Sequence, residues 1–411
     1  RADGTAGAGG TVIVWADDTT RFHGQISATG SRGHRGGFVE TSGKANLDIT
    51  LGTVVANAPQ GDPGVWLLDP SDITIATGGT GTLSGGLFDP LTPVGPIDPT
   101  TIATALDNGT NVILTTASGT GGNGDISLLN SINQNGGGTA SLTLNSRRFN
   151  QVGGATINLS STGGLTFNLN TIAPEPIAPF ASIQAAQDAI GTVAGPRTIR
   201  LAPGTYQGNT PITFTRSLTL QGAGPDTTIL TNTNGTEGIQ VAGGTGATIE
   251  INGVTLANNS ATALRNDGTL ILSNSVLRNN AAAQGGAIAN GSSGNLTVLN
   301  SQIRSNQSGT IGGGIFNEGQ LAIANSQIAN NQAQSDGGGI YNTSNGTVSL
   351  RTTTLQRNTA NDGGGIYTNG NLAIADSAIV NNQANGGNGG GIFNRGTATI
   401  TTTTLDANQA N

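Results

Sequence analysis

Aliphatic residues recur at every second position in short runs, as in Thr11-Val12-Ile13-Val14-Trp15, Ser141-Leu142-Thr143-Leu144 and Ala398-Thr399-Ile400-Thr401. A period of two belongs to strands with one buried face. Gly and Asn turn residues separate the runs, so the pattern predicts an all-β chain of many short strands. One stretch has the helical period instead. Between Pro179 and Gly191, Ile183, Ala186 and Ile190 share a face, Ser182 can cap and Gly191 can stop, which predicts a short helix near 182–190. Its place before the repeats described next would let it cap the end of their stack.

The last third of the chain repeats. Gly-Gly-Gly-Ile-aromatic begins at Gly312, Gly337, Gly363 and Gly389, and a Gly-Gly-Ala-Ile version begins at Gly285. In register with it, an aliphatic residue precedes asparagine by three positions at Asn259, Asn280, Asn306, Asn331, Asn358, Asn382 and Asn408. A unit such as 312–336 reads as three short strands and three turns, which is one coil of a solenoid. Coils of about 25–27 residues stacked at a strand spacing of ~4.8 Å form a parallel β-helix. Ile288, Ile315, Ile340, Ile366 and Ile392 should then form one inward stack. The seven asparagines should form a second, each amide bonded to its counterpart in the next coil.

Composition sharpens this. Glycine supplies 67 of 411 residues, 9% of residues are charged and 3% aromatic, and the coil register turns that glycine from a sign of disorder into a positional feature. There are 23 acids against 16 bases, giving a charge of −7 with no basic footprint for nucleic acid. Cysteine is absent, which excludes disulfides and thiolate chemistry, and two histidines cannot supply a multi-histidine metal site. Methionine is absent even at position 1, so the sequence is expected to begin downstream of its initiator and of any leader. No apolar run is long enough for a spanning helix. Proline clusters predict a loop at 88–99, followed by a short helix over Thr101–Leu106, and a linker at 173–179. They divide the chain into regions 1–172 and 180–411.

Two resemblances add to this reading. The helix around Ser182, then Thr198-Ile199-Arg200-Leu201-Ala202-Pro203-Gly204-Thr205-Tyr206 and Leu218-Thr219-Leu220-Gln221-Gly222-Ala223-Gly224, resemble the first coils of a right-handed β-helix of the pectate-lyase-like superfamily. The later units are similar to repeats of chlamydial polymorphic outer-membrane proteins and related autotransporter passengers. Upstream, Gly10-Thr11-Val12-Ile13-Val14-Trp15-Ala16-Asp17, Phe22-His23-Gly24, the block Gly36 to Lys44, and Trp66-Leu67-Leu68-Asp69-Pro70-Ser71-Asp72 resemble filamentous-haemagglutinin-type exoproteins, above all large cyanobacterial ones. The resemblance implies two tandem β-helical regions, export through an outer-membrane two-partner transporter, and an adhesin-like stalk held at the surface of a Gram-negative-type cell or released. Cell-surface glycans or further copies of the chain would be its partners.

Candidate chemistry is sparse. Asp336 and Asp362 occupy the same place before successive glycine runs, and two stacked carboxylates repel unless a cation or proton intervenes, so calcium is the one cofactor the pattern leaves open. The turn after the first strand of each coil carries Asp267, Glu318, Asn369 and Arg395 in one position, the signature of an exposed corner. His23 and His34 with Arg21, Arg32 and Arg35 make a locally basic strip, and Asp17-Asp18 and Asp69-Pro70-Ser71-Asp72 read first as turn caps. Trp15 and Trp66 read as core or end-covering residues. Phe316, Tyr341, Tyr367 and Phe393 fall once per coil. Alternation from the preceding isoleucine points them outward, as a ladder for a glycan or a protein, whereas a bend at the following asparagine would turn them inward. The expectation is a structural or adhesive stalk without catalysis. A polysaccharide-acting enzyme is the alternative, and a self-assembling filament subunit is a third reading, because the chain ends at Asn411 on an open coil edge.

Overall fold

The computed structural model describes residues 1–49, 52–77, 96–116, 123–169 and 179–411. It is a parallel β-solenoid of about 14 turns, with two short helices among the described residues. The chain divides into two compact units, Arg1–Ile172 with Ala185–Arg200, and Ala173–Gln184 with Leu201–Asn411. The predicted linker 173–179 lies outside the described residues except for Pro179, as does the predicted loop 88–99 except for residues 96–99.

In the first unit the main sheet stacks Thr11–Ala16, Phe38–Gly43, Val65–Leu68, Asn111–Thr115, Leu142–Ser146 and Leu165–Leu169. Register sets Val12, Val39, Trp66, Val112, Leu142 and Leu165 in one inward column and Val14, Thr41, Leu68, Leu114, Leu144 and Phe167 in another. Trp66 is fully buried and its indole N–H donates to Thr41 Oγ1 at 2.9 Å, so each residue satisfies the other inside the core. Trp15 belongs to the opposite parity from Val12 and Val14 and is 54% exposed, so the core reading holds for Trp66 and fails for Trp15. Helix α1 (Pro99–Asp107) covers the predicted Thr101–Leu106. Asp98 caps it by accepting from the Thr100 N–H, and Ile102, Ala103, Ala105 and Leu106 are buried.

In the second unit each coil from Val276 onward contains four strands, not three. One coil runs Ile315–Asn317, Gln320–Ala324, Gln327–Ala329 and Gln332–Ala333 before Gly337 opens the next. The fourth, two-residue strand follows the ladder asparagine, and Gln307 and Ser308 pair with Gln332 and Ala333. Its two residues are too short to show a period, which is why the pattern hides it. Ile288, Ile315, Ile340 and Ile366 form the expected inward stack, wholly buried, with Ile392 half-buried. Further columns run through Leu296, Leu321 and Val348, and through Ile303, Ile328 and Leu355, each side chain contributing about 1.5–3 kcal/mol of burial.

The corners are held by polar ladders. Each asparagine from Asn259 to Asn382 donates both its backbone N–H and its Nδ2 to the Oδ1 of the next, through to Asn408, at 2.7–3.1 Å. The ladder starts one coil before the seven asparagines named from the sequence, since the Asn232 N–H donates to Asn259 Oδ1. A second ladder, not anticipated, links Asn266, Asn290, Asn317, Asn342 and Thr368, all fully buried. The corner after the first strand is therefore buried on its asparagine side, and the next residue is half-buried at Asp267, Glu318 and Asn369 and exposed at Arg395. Its glycine is needed for space rather than for turn conformation: a Cβ on Gly319 would lie 2.3 Å from the Gly294 carbonyl. In the glycine triplets the first residue has positive φ, 67° at both Gly312 and Gly337, while a Cβ on the third, Gly339, would lie 2.5 Å from the Gly365 carbonyl.

Helix α2 (Pro179–Ala189) begins three residues before the predicted start, so Ser182 is a buried residue within it rather than its cap. Its first half packs on the first coil of the second unit. Phe180 lies over Gly208, where a Cβ would collide with the ring, and Gln184 Oε1 accepts from the Thr213 N–H at 2.7 Å.

Candidate ligand-binding face

The strands Ile315–Asn317, Ile340–Asn342, Ile366–Thr368 and Ile392–Asn394 pair in register with isoleucine and the ladder residue on one side. A period of two then sends the middle residue the other way, so Phe316, Tyr341, Tyr367 and Phe393 form an outward column. No bend reverses it, because the following Asn317 and Asn342 are themselves inward and bonded.

The rings contact one another along the stack. Centroids are 6.0 Å apart for Phe316–Tyr341, 5.0 Å for Tyr341–Tyr367 and 5.0 Å for Tyr367–Phe393, with interplanar angles of 20°, 8° and 54°. In the near-parallel part the ring faces cover one another, so Tyr367 is buried at 6% exposure, while Phe316, Tyr341 and Phe393 are half-buried. Beyond them Asn369 Nδ2 donates to the Tyr341 hydroxyl at 3.3 Å and an Arg395 N–H donates to the Tyr367 hydroxyl at 3.4 Å.

Asp336 and Asp362 stand beside the band. They form a parallel bridge, with Asn388 Nδ2 donating to Asp362 Oδ1 at 3.1 Å. Their column is occupied by Ile311 and Asn388 in the flanking coils, whose carbonyls, like those of Asp336 and Asp362, accept from the first glycine of the preceding triplet. Partial burial and the neighbouring Asp362 charge push the Asp336 carboxyl above its ordinary pKa, against the pull of Arg395. The Tyr341 phenol is raised by burial, then by Tyr367 and Asp336. At neutral pH it is a protonated hydroxyl that can both donate and accept. The face thus offers an aromatic band fringed by two carboxylates, an amide and a guanidinium.

The other sequence candidates do not converge on it. His23 Nε2 lies 3.0 Å from Asp48 Oδ2, His34 Nδ1 lies 3.0 Å from Ser31 Oγ, and Arg32 Nε donates to Gln60 Oε1 at 2.6 Å. The expected basic strip is therefore largely engaged with its own neighbours. Asp72 accepts from the N–H groups of Asn123 and Asp125, far along the chain, so it ties two segments together rather than capping its own turn. Arg395 and Asn369 were legible as residues but not as part of this face, because only the ring heights show which hydroxyls they reach. Among the described residues no group of three or more histidines or acids converges, and no helix is long and apolar enough to cross a membrane.

The chain matches no protein-family model, no curated protein and no solved structure.

Proposed function

We propose that this chain is a non-catalytic, adhesive and structural solenoid segment of a secreted or surface-attached exoprotein, exported through an outer-membrane two-partner transporter. The observation that carries the reading is the division of labour in the second unit. Buried columns of asparagine and aliphatic residues repeat from coil to coil. Of the outward columns, the one at Phe316, Tyr341, Tyr367 and Phe393 keeps its chemistry through four coils. A scaffold whose inside repeats from coil to coil and whose outside carries an extended aromatic band is suited to presenting a surface rather than to enclosing a substrate. The ligand is a cell-surface glycan whose hydroxyls meet the phenols, Asn369 and Arg395.

The test is binding of the purified chain to a panel of immobilised cell-surface glycans, with wild type compared with a Tyr341→Ser/Tyr367→Ser double variant whose circular dichroism is unchanged. Loss of about tenfold in affinity is expected from removing two rings and their hydroxyls. Unchanged binding by the double variant would sink the assignment of the face. Cleavage of a uronate-containing polysaccharide, abolished by Asp336→Asn, would replace the whole reading with the enzymatic one.

A further inference from the structure

A step in the wall of the second unit leaves one rung of main chain unpaired. Asn259 reaches Leu264 through Ser260-Ala261-Thr262-Ala263 alone, whereas Asn280 reaches Ile288 through all the residues from Ala281 to Ala287. The short coil lacks the fourth strand, so the six-stranded sheet of fourth strands starts at Ala281–Ala282, with coils of the same unit before and after it.

In a parallel ladder each residue turns its N–H and C=O to the same neighbour, and alternate residues turn to opposite neighbours. Ala282 faces the following coil, where its carbonyl accepts from the Gly309 N–H at 2.8 Å. Ala281 faces the preceding one, and so, by equivalence with Gly309, does the N–H of Ala283; the strand ends at Ala282, and the Ala283 carbonyl turns instead to the following coil, where it accepts from the Thr310 N–H at 3.0 Å and from Thr310 Oγ1 at 2.7 Å. The Ala281 N–H donates to the Asn259 carbonyl at 3.0 Å, but the Ala281 carbonyl and the Ala283 N–H bond to nothing among the described residues. One coil later the N–H equivalent to that of Ala283 belongs to Gly309, and Ala282 takes it. The vacancy is therefore one residue of one strand.

These two groups border a groove of about 660 Å³, lined by Gly235, Ser260, Ala261 and the run Ala281 to Ala283, and continued by the amides of Gln307 and Gln332. None of its lining side chains is charged, and those nearest the step are methyl-sized or absent, which leaves room for a main chain. A C=O and an N–H one ladder step apart are matched by a single residue of an extended peptide, which presents both partners at that spacing.

We propose that this groove receives an uncharged, extended peptide strand from a partner chain, which adds as the missing rung. The rungs already in the sheet give its pattern: a polar residue outward and a small one inward, as in Gln307-Ser308, Gln332-Ala333 and Gln383-Ala384. The inward small residue occupies the vacancy, donating to the Ala281 carbonyl and accepting from the Ala283 N–H. Two main-chain bonds and a shallow groove make the association weak, about millimolar.

The probe is a blocked hexapeptide with the sequence of residues 330–335, Asn-Asn-Gln-Ala-Gln-Ser, titrated into the intact, isotope-labelled chain while the Ala283 amide resonance is followed. A saturable shift is expected. N-methylation of the peptide's alanine should weaken binding about tenfold, while N-methylation of either flanking glutamine should not, because their N–H groups point away from the edge. Ala261→Trp should abolish the shift while the remaining resonances keep their positions. Equal effects of methylation at all three sites, no saturable shift, or a shift produced by a neutral oligosaccharide but not by the peptide would each overturn the proposal.

Discussion

Every polar atom of the Asn331 side chain is used. Its Nδ2 donates to Asn358 Oδ1 and to the Ile303 carbonyl, and its Oδ1 accepts from both the backbone and the side chain of Asn306. Replacing it by a residue of similar volume without hydrogen-bonding groups takes this partner from the buried Asn306 donors and from the Ile303 carbonyl. Asn331→Leu should cost about 3 kcal/mol or more, read as a lowered midpoint in denaturant unfolding. The opposite sign is expected one corner away. Thr352 has a φ of 49°, at the position filled by Asn274, Asn300 and Asn325 in preceding coils. A β-branched residue is strained there and asparagine is tolerated, so Thr352→Asn should stabilise by about 1 kcal/mol in the same measurement. The ladder asparagines were legible because they recur at a fixed distance from an aliphatic residue. The left-handed residues Thr352, Arg357 and Ala407 were not. Stacking on the coils above and below imposes a backbone conformation that local preference opposes, and nothing in the letters records it.

Among elements, the strands with period two were legible throughout, and α2 was legible from its one apolar face, though its start was not. The fourth strand was hidden, since its pairing comes only from the coils beside it. The second asparagine ladder was hidden for a different reason. Asparagine followed two residues later by glycine, as in Asn266 to Gly268 or Asn317 to Gly319, is the same text as an exposed turn, and only the carbonyl contacts of Gly319 distinguish them. At the candidate face, the strand Ile340–Asn342 brings Tyr341 beside Asp336, whose carboxyl is pushed above its ordinary value of 3.8 by burial and by Asp362. A carboxyl raised on folding favours the fold while it is protonated and loses that contribution as pH rises through its folded-state pKa. Asp336→Asn should therefore raise stability at pH 7, and the difference from wild type should vanish as pH falls below about 4. Thermal unfolding at the two pH values measures it; equal gains at both would show that charge is not the cause.

For the second unit as a whole, each coil touches only its neighbours, so its stability is a sum of coil and interface contributions. Damage at Asn331 should be felt locally. Amide exchange in the Asn331→Leu variant is expected to quicken in the coils containing Asn306, Asn331 and Asn358 and to stay near wild type at Leu218–Gly222. Uniform acceleration would mean that the unit opens as one cooperative body. At this scale the class of fold was readable from the repeat, whereas the direction of the aromatic column was left open, because alternation and a bend at the following asparagine pointed opposite ways. The vacancy at Ala281 was not, although the spacing that causes it, four residues between Asn259 and Leu264, is plain in the text.

The asparagine ladder has one further consequence, for how such a chain changes over generations. Its bond is the same at every junction although the steps between successive members vary, being 21, 26, 25, 27, 24 and 26 residues. A recombination that joins the codon of one ladder asparagine to the codon following another adds or removes whole coils and re-forms the same buried contact at the seam. The length of the solenoid is thereby a heritable quantity that can shift in a single event, with no poorly folded form in between.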